Sequence, residues 1–366
     1  MWLFRGIIFV LLILLVTSTT KEAKREKAGV VLFRKENRLE GPALWVYLAF
    51  FLAMLCFWAL TAFRAYSVGN DTRHYVEYFE IIAKNGPSGK LRIEMGFQYF
   101  CFFVSKFSKD PHIFLMVHAT ICYLAIIRYI AKYSQNVLFS VVLFFCFSFS
   151  DFTTALRQNL SMAIILYAYQ ALKEKKYIKF SLLVIFASFF HTSAIFMLAL
   201  LLYKLHPKDI RSSVSIILLA LVFSISGLAT PLLSLLFSSY SSYFESQYAG
   251  SGWLGVFYYM LRSIVLYLIM YFIYVKDSDG AEKIFPFFVA IIITCFAFTM
   301  NQFMRGCDYL VIFSIVELPN ALTEKKFKNA NWFIILIGGI SCLYFLFVLR
   351  FRPEWSRIIP YHFYMG

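Results

Sequence analysis

The sequence predicts an all-α polytopic integral membrane protein with about 10–12 transmembrane helices and re-entrant or interfacial helices between them, in a single transmembrane domain over residues 1–366. Three observations carry this. The chain is 61% hydrophobic and 20% aromatic with only 15% charged residues, whereas soluble domains are nearer half apolar with about a quarter charged. Its mean hydropathy is +0.71. Apolar runs recur at close to the ~20-residue length that a helix needs to cross a hydrocarbon core, and short polar or basic stretches separate them. Lys+Arg 35 against Asp+Glu 20 leaves a net charge of +15, which suits nucleic acid, lipid headgroups or an anionic ligand. So apolar a chain argues against nucleic acid. Part of the excess is topological, since cytoplasmic loops collect Lys and Arg, and the rest is available to a phosphate-bearing ligand.

Taken in order, Trp2 to Val16 is an apolar run with the length of a signal peptide and Arg5 as its only basic flank. Seven Lys/Arg follow between Lys21 and Arg38. Residues 17–42 therefore read as a basic cytoplasmic loop, and the first run as a span with its N-terminus outside. Ala43 to Phe63 is a second span, leading to a first periplasmic loop over 64–95 in which Asn85-Gly-Pro-Ser-Gly marks a turn. Gly96 to Phe107 is apolar but, at about a dozen residues, too short to cross as a helix. It is expected to be interfacial or re-entrant. His112 to Tyr129 then runs inward, Val137 to Phe152 outward and Arg157 to Ala171 inward, which leaves Asp151 and Arg157 on the outer face.

Tyr177 to Tyr203 has basic residues on both flanks, Lys175, Lys176 and Lys179 before the run's apolar part and Lys204, Lys208 and Arg211 after it. That pattern favours a helical hairpin with His191 at its tip; the alternative, one long tilted span, would invert every later segment. Under the hairpin, Ser212 to Phe237 runs outward with breaks at Gly227 and Pro231, and 238–252 form a second periplasmic loop carrying Tyr240, Tyr243 and Tyr248. Trp253 to Val275 returns, Phe285 to Met300 goes out, Tyr309 to Leu322 comes back to the basic Lys325–Lys328, and Trp332 to Leu349 ends outside. All seven cysteines lie in or at the ends of apolar runs without C-x-x-C spacing, which reads as small buried apolar residues rather than a disulfide framework or zinc site.

Collected by side, the outer face holds Arg64, Asp71, Arg73, His74, Glu94, Asp151, Arg157, His191, Arg305, Asp308, Arg352 and Arg357. An ionisable residue at lipid depth is costly and marks a functional candidate. Arginine's planar fork holds phosphate oxygens bidentately and keeps its charge when partly desolvated. Several arginines with a few acids and no metal-ligand cluster point to a diphosphate leaving group neutralised by guanidinium rather than by a bound cation. No metal and no cofactor is expected, and the sequence has no glycine-rich phosphate loop.

The motifs Gly69-x-Asp71-x-x-x-Tyr75, Glu94-x-Gly96-Phe97, Arg157-Gln158, Phe190-His191-x-Ser193-Ala194, Arg305 after the late span and Ile359-Pro360-Tyr361 follow one another over nearly the whole chain. In that order they resemble the EpsG/Wzy-type family of bacterial polysaccharide polymerases, close in logic to the O-antigen ligases and to the lipid-linked-sugar glycosyltransferases called GT-C. The resemblance implies a GT-C-like glycosyltransferase of the bacterial inner membrane. It would join undecaprenyl-diphosphate-linked oligosaccharide repeat units into O-antigen, capsule or exopolysaccharide at the periplasmic face, with a chain-length regulator and a flippase of the same pathway as partners. Ser161 stands where the family's Arg-Gln motif usually continues to an alanine, and a small residue is kept.

Within that frame Arg157, Arg305 and Arg73 are expected to hold the diphosphate. His191 is expected to act as the base or to support the diphosphate, Asp71 or Glu94 to orient or deprotonate the acceptor hydroxyl, and Tyr75, Gln158 and Asp308 to contact the glycan. Each has a structural alternative: a snorkelling arginine for Arg157, a histidine bonded to a neighbouring helix for His191, a helix cap at Thr72 for Asp71, a first-turn acid for Glu94, and a pair with Asp308 for Arg305. Arg352 and Arg357 beside Trp355 read as headgroup anchors, and the tyrosines of 238–252 as interface residues. The rival functions are a ligase-type transferase with a different acceptor and a transporter of lipid-linked glycan. A transporter's pathway should carry polar residues on both sides of the midplane, often in two related halves; here they gather on one side.

Overall fold

Three helix starts in this chain fall where a side chain satisfies them. Asp110 accepts the His112 amide at 2.8 Å ahead of Pro111, Asn136 accepts the Phe139 amide at 3.0 Å, and Asp209 accepts the Ser212 amide at 2.8 Å, each supplying a partner to a first-turn donor that the helix itself leaves open. The structure is a computed structural model that describes residues 1–27, 44–231, 253–300, 302–324 and 330–364. Among the described residues it is helical without a strand, save one isolated antiparallel bridge between Arg64 and Phe363. The tyrosine-bearing loop 238–252, most of the basic loop 17–42 and the Lys325–Lys328 cluster lie outside the described residues.

In chain order the helices are α1 (Trp2–Lys27), α2 (Leu44–Ala62), α3 (Thr72–Asn85), α4 (Met95–Ser105), α5 (Pro111–Tyr133), α6 (Val137–Phe147), α7 (Phe149–Thr154), α8 (Leu156–Lys173) and α9 (Tyr177–Ser188). A 3-10 helix (Thr192–Leu205) follows, then α10 (Ile210–Ile225), α11 (Trp253–Tyr274), α12 (Gly280–Phe296), α13 (Phe303–Val311), α14 (Ser314–Glu324), α15 (Ala330–Phe351) and a 3-10 turn at Pro353–Trp355. Five of them, α1, α2, α5, α11 and α15, are long and apolar enough to cross a membrane, and five shorter apolar helices of 10–17 residues accompany them. The protein is thus an all-α polytopic membrane protein. Helix α4, with 11 residues, has the short length expected of an interfacial or re-entrant element.

The chain divides into two compact units, Met1–Ala163 with Ile315–Gly366, and Ile164–Ser314. The first has an aromatic centre: Phe57 stacks on Phe145 at 4.7 Å, and Phe4 of α1 lies 6.1–6.4 Å from Phe145, Phe149 and Phe345. Such rings contribute large buried area and directional edge contacts. Polar ties join the helices around it. The Thr61 and Tyr123 hydroxyls meet at 2.9 Å, Trp58 donates to Thr120 at 3.0 Å, and the Asn320 amide bridges the Tyr133 carbonyl and the Gln135 amide, both at 2.8 Å.

In the second unit Tyr177 to Tyr203 is a hairpin, as the two basic flanks suggested. The hydroxyls of Tyr177 and Tyr203 stand 3.3 Å apart, so the two ends of the segment are neighbours, which a single tilted span forbids. Its second arm is unusual. Fourteen residues in 3-10 geometry far exceed the usual three or four, and at ~2.0 Å per residue they reach about 28 Å, close to the ~30 Å of a bilayer core.

Four expectations need correction. Val137 to Phe152 is not one span but α6 and α7, broken at Ser148, and the break turns Phe149 into the aromatic centre. The expected span Tyr309 to Leu322 starts earlier, at Phe303, and breaks between Val311 and Ser314, where the Phe313 ring stacks on Tyr169 at 3.8 Å. In both places the packing of one ring outweighs the continuity of an apolar run. The expected span Phe285 to Met300 begins earlier, at Gly280, and takes Pro286 inside it. Finally, Cys56 is exposed while the other six cysteines are buried, with the Cys146 and Cys342 sulfurs 3.7 Å apart.

Candidate active site

The first unit gathers four of the six sequence motifs. The loop between α2 and α3 is clasped by the end of the chain. Ala65 donates to the His362 carbonyl at 2.9 Å, Tyr364 to that of Phe63 at 2.8 Å and Gly69 to that of Arg357 at 3.0 Å. The Asn70 side chain donates to the Trp355 carbonyl at 2.7 Å, and the Tyr361 hydroxyl to that of Leu60. Gly69 has φ +94°, and a Cβ there would lie 2.7 Å from the Thr72 hydroxyl and 3.1 Å from Thr154. Only glycine combines that backbone region with so close an approach.

Beneath this loop Arg64 is fully buried. It donates to the Thr61 carbonyl and, at 3.4 Å, to Thr72, whose own hydroxyl bonds the Val68 carbonyl at 2.7 Å. Its Nη2 has no hydrogen-bond partner. Burial pushes the guanidinium pKa down to about 10, and the bonds to Thr61 and Thr72 tie the loop to it from within.

The loop fixes the start of α3, and one turn on, Tyr75 is buried against Phe97 at 5.5 Å. Glu94 stands at the N-cap position of α4 but its side chain does not cap that helix. Gln98 holds the approach to it, donating to the Ile93 carbonyl and accepting the Ser88 amide, both at 2.8 Å. Arg157 comes from the first turn of α8. Its Nη1 meets the Glu94 carboxylate at 2.5 Å, its Nε points to the Tyr75 hydroxyl at 3.4 Å, and its guanidinium lies 5.9 Å from the Tyr75 ring centre. Three predicted residues from distant motifs are thus brought together. The pair is only partly covered, with 20% of the Arg157 and 13% of the Glu94 side chain exposed. Of the rest, Gln158 is buried beside Arg157 in sequence, Asp71 occupies the N-cap position of α3 without a side-chain cap bond, and Arg73 is exposed on the first turn of that helix.

The second unit holds the other two motifs. His191 is buried at the hairpin tip, its ring 6.4 Å from that of Tyr309. A Cβ on Gly306 would fall 2.8 Å from the Phe196 ring, which sets α13 close against the 3-10 arm. Arg305 is exposed. Asp308 accepts a bond from Arg262 at 2.8 Å and from the Tyr259 hydroxyl at 3.2 Å, and the Arg262 guanidinium also lies over the rings of Tyr259 and Tyr258, 4.5 and 5.5 Å from their centres. Sequence reasoning assigned Asp308 to the glycan and passed over Arg262. Its signal was present, a lone cation inside the apolar run Trp253 to Val275. The tail's clasp on the loop had no such signal, because it uses backbone carbonyls. Among the described residues no three His, Cys, Asp or Glu side chains gather as metal ligands would.

The order of the motifs has a counterpart in comparison with known families, where residues 47–363 match the EpsG family. The chain belongs to the EpsG family. With membership comes a polysaccharide-polymerase type of role, that of a glycosyltransferase-like enzyme with lipid-linked oligosaccharides as substrates, in a multi-pass membrane protein. No curated protein and no solved structure matches this chain. Helix α1 precedes the matched region, yet Phe4 is wholly buried in the aromatic centre of the first unit.

Proposed function

We propose that this EpsG-family protein lengthens polysaccharide by moving a growing glycan from one undecaprenyl-diphosphate carrier onto the terminal sugar of another lipid-linked repeat unit, without a metal, at the periplasmic face of the bacterial inner membrane. The observation that carries this reading is the meeting of Tyr75, Glu94 and Arg157 at one partly open place.

The guanidinium of Arg157 is the diphosphate ligand. An arriving diphosphate competes with Glu94 for it, and the charge that grows on the leaving oxygen as the anomeric C–O bond breaks favours that exchange. Glu94, released from Arg157, turns that oxygen to the acceptor. It then takes the proton of the acceptor hydroxyl as that oxygen bonds to the anomeric carbon. Tyr75 keeps its hydroxyl on the Arg157 side for a sugar or phosphate oxygen, and Gln158, the residue after Arg157, is the second glycan contact. Asp71, one turn before Tyr75 on α3, is the group that orients the acceptor, and the diphosphate role of the exposed Arg73 is tested by its own variant. These steps need residues of the first unit alone; the diphosphate role of Arg305 and the base or ligand role of His191 are separately testable.

Arg157→Ala and Glu94→Gln, introduced into cells that depend on this gene for their surface glycan, test the reading. Single repeat units should remain on the lipid carrier and the ladder of long chains should vanish, with the protein still present in the membrane. An undiminished ladder in either variant would overturn the assignment of that residue. Movement of lipid-linked glycan across vesicles holding only this protein, without chain growth, would favour a transporter.

A further inference from the structure

Residues at the start of α9 line a groove of about 740 Å³, with Lys175, Lys176 and Lys179 at one end and Ile178, Leu182 and Phe186 along it. We propose that this groove binds an anionic phospholipid, with the headgroup phosphate on the lysines and one acyl chain along the apolar stripe. The site is independent of the transferase reading.

Three observations converge on that occupant. Ile178, Leu182 and Phe186 are 80%, 62% and 53% exposed, and their four-residue spacing lays them in one stripe down the helix. In a chain of this composition an exposed apolar stripe meets hydrocarbon. The charge at its head is one-sided. Glu174 is the only acid within the basic stretch Lys173 to Lys179, and it is taken by Lys176 at 2.7 Å. Lys175 and Lys179 are exposed and have no carboxylate within ion-pair distance among the described residues, which leaves the groove with a charge that an anionic headgroup complements.

The third observation is length. Helix α9 has 12 residues, about 18 Å at ~1.5 Å per residue, well short of the ~30 Å core. A helix that short is accommodated by local thinning or by long side chains that reach the headgroups. The lysines at its N-terminal end have the stems to do so, and a phosphate seated among them closes the gap between helix end and headgroup plane. Lys175 sits in the left-handed region, φ +59°, in the turn between α8 and α9. That backbone geometry swings the chain so that three lysines flank one groove.

The test uses the full-length protein, purified from bilayers of phosphatidylglycerol and phosphatidylcholine in equal amounts, with retained lipid measured by native mass spectrometry. Phosphatidylglycerol should be enriched, and Lys175→Gln with Lys179→Gln should lower its retention by about fivefold per lysine, while Lys84→Gln on α3 leaves it unchanged. Retention in the native protein should also fall as salt is raised, a reading that needs no variant to fold. Equal retention of the two lipids, or phosphatidylglycerol retention indifferent to salt and to the double variant, overturns the proposal. So do cross-links joining Lys179 of two copies in place of bound lipid, which would make a second chain the occupant.

Discussion

Two arginine–carboxylate pairs, one in each unit, differ in where they sit on their helices and in how far the guanidinium is covered. Arg157 and Glu94 come from the ends of two helices, and the Arg157 side chain is 20% exposed. Arg262 and Asp308 come from helix interiors, are 7% and 11% exposed, and are boxed in by two tyrosines. A pair at helix ends can exchange its carboxylate for a ligand's phosphate with little rearrangement. A pair locked between helices cannot, and its charges serve to fix the helices against each other. The same residue types therefore read as a site in one place and as a joint in the other.

The comparison breaks first on the joint. Removing one partner of a buried pair leaves a desolvated charge, which costs about 3–5 kcal/mol, so Arg262→Leu should lower the thermal midpoint in detergent sharply. Arg262→Met with Asp308→Leu should recover much of it, because an apolar substitute for a buried pair is often neutral. If Arg262→Leu melts like the native protein, the joint is no joint. In the other pair the loss should appear chiefly in rate, with Arg157→Ala lowering glycan transfer by about 10²–10³, as for loss of one donor to developing charge, and Arg157→Ala with Glu94→Gln, which strands no charge, leaving the thermal midpoint near the native one.

Smaller effects sharpen the picture of the loop that carries the site. Gly69→Ala meets both a left-handed backbone and the Thr72 hydroxyl, and should cost about 1–3 kcal/mol, seen as partial loss of activity together with easier proteolysis between α2 and α3. Tyr361→Phe removes the hydroxyl that reaches the Leu60 carbonyl, worth roughly 1 kcal/mol, and should lower the midpoint slightly. Smallest of all, bonds from the Ser212 amide and hydroxyl hold the Asp209 carboxyl below its ordinary pKa. A carboxyl lowered on folding stabilises above its unfolded pKa and loses that contribution as pH falls through the folded one. Hydrogen-exchange protection at the Ser212 amide should accordingly fall in acid and stay flat above neutrality.

Much of this was legible in the residues. The hairpin followed from lysines on both sides of one apolar run, and Glu94, Tyr75 and Arg157 were each marked by polar chemistry beside apolar sequence. What escaped has physical causes. The breaks at Ser148 and before Ser314 depend on where one ring packs, and an apolar run looks the same whether it is continuous or cut. Arg262 was hidden by its surroundings, since a run of apolar residues is read as a span before its one charge is weighed. Asp308 had the residue type of a sugar ligand, and only the third dimension supplies its partner. In the clasp of the tail on the loop every acceptor is a main-chain carbonyl and three of the five donors are main-chain amides, groups that every residue but proline shares.

That clasp has a bearing on how the protein is made. The Asn70 side chain waits for the Trp355 carbonyl, 285 residues further along, and Phe63 and Ala65 wait for Tyr364 and His362. During synthesis every helix of the first unit up to α15 emerges before the loop has anything to hold it. The loop therefore acquires its fixed shape only once residues 355–364 are made and in place, and a nascent chain inserted in the membrane before then carries its arginine and glutamate without the frame that aims them.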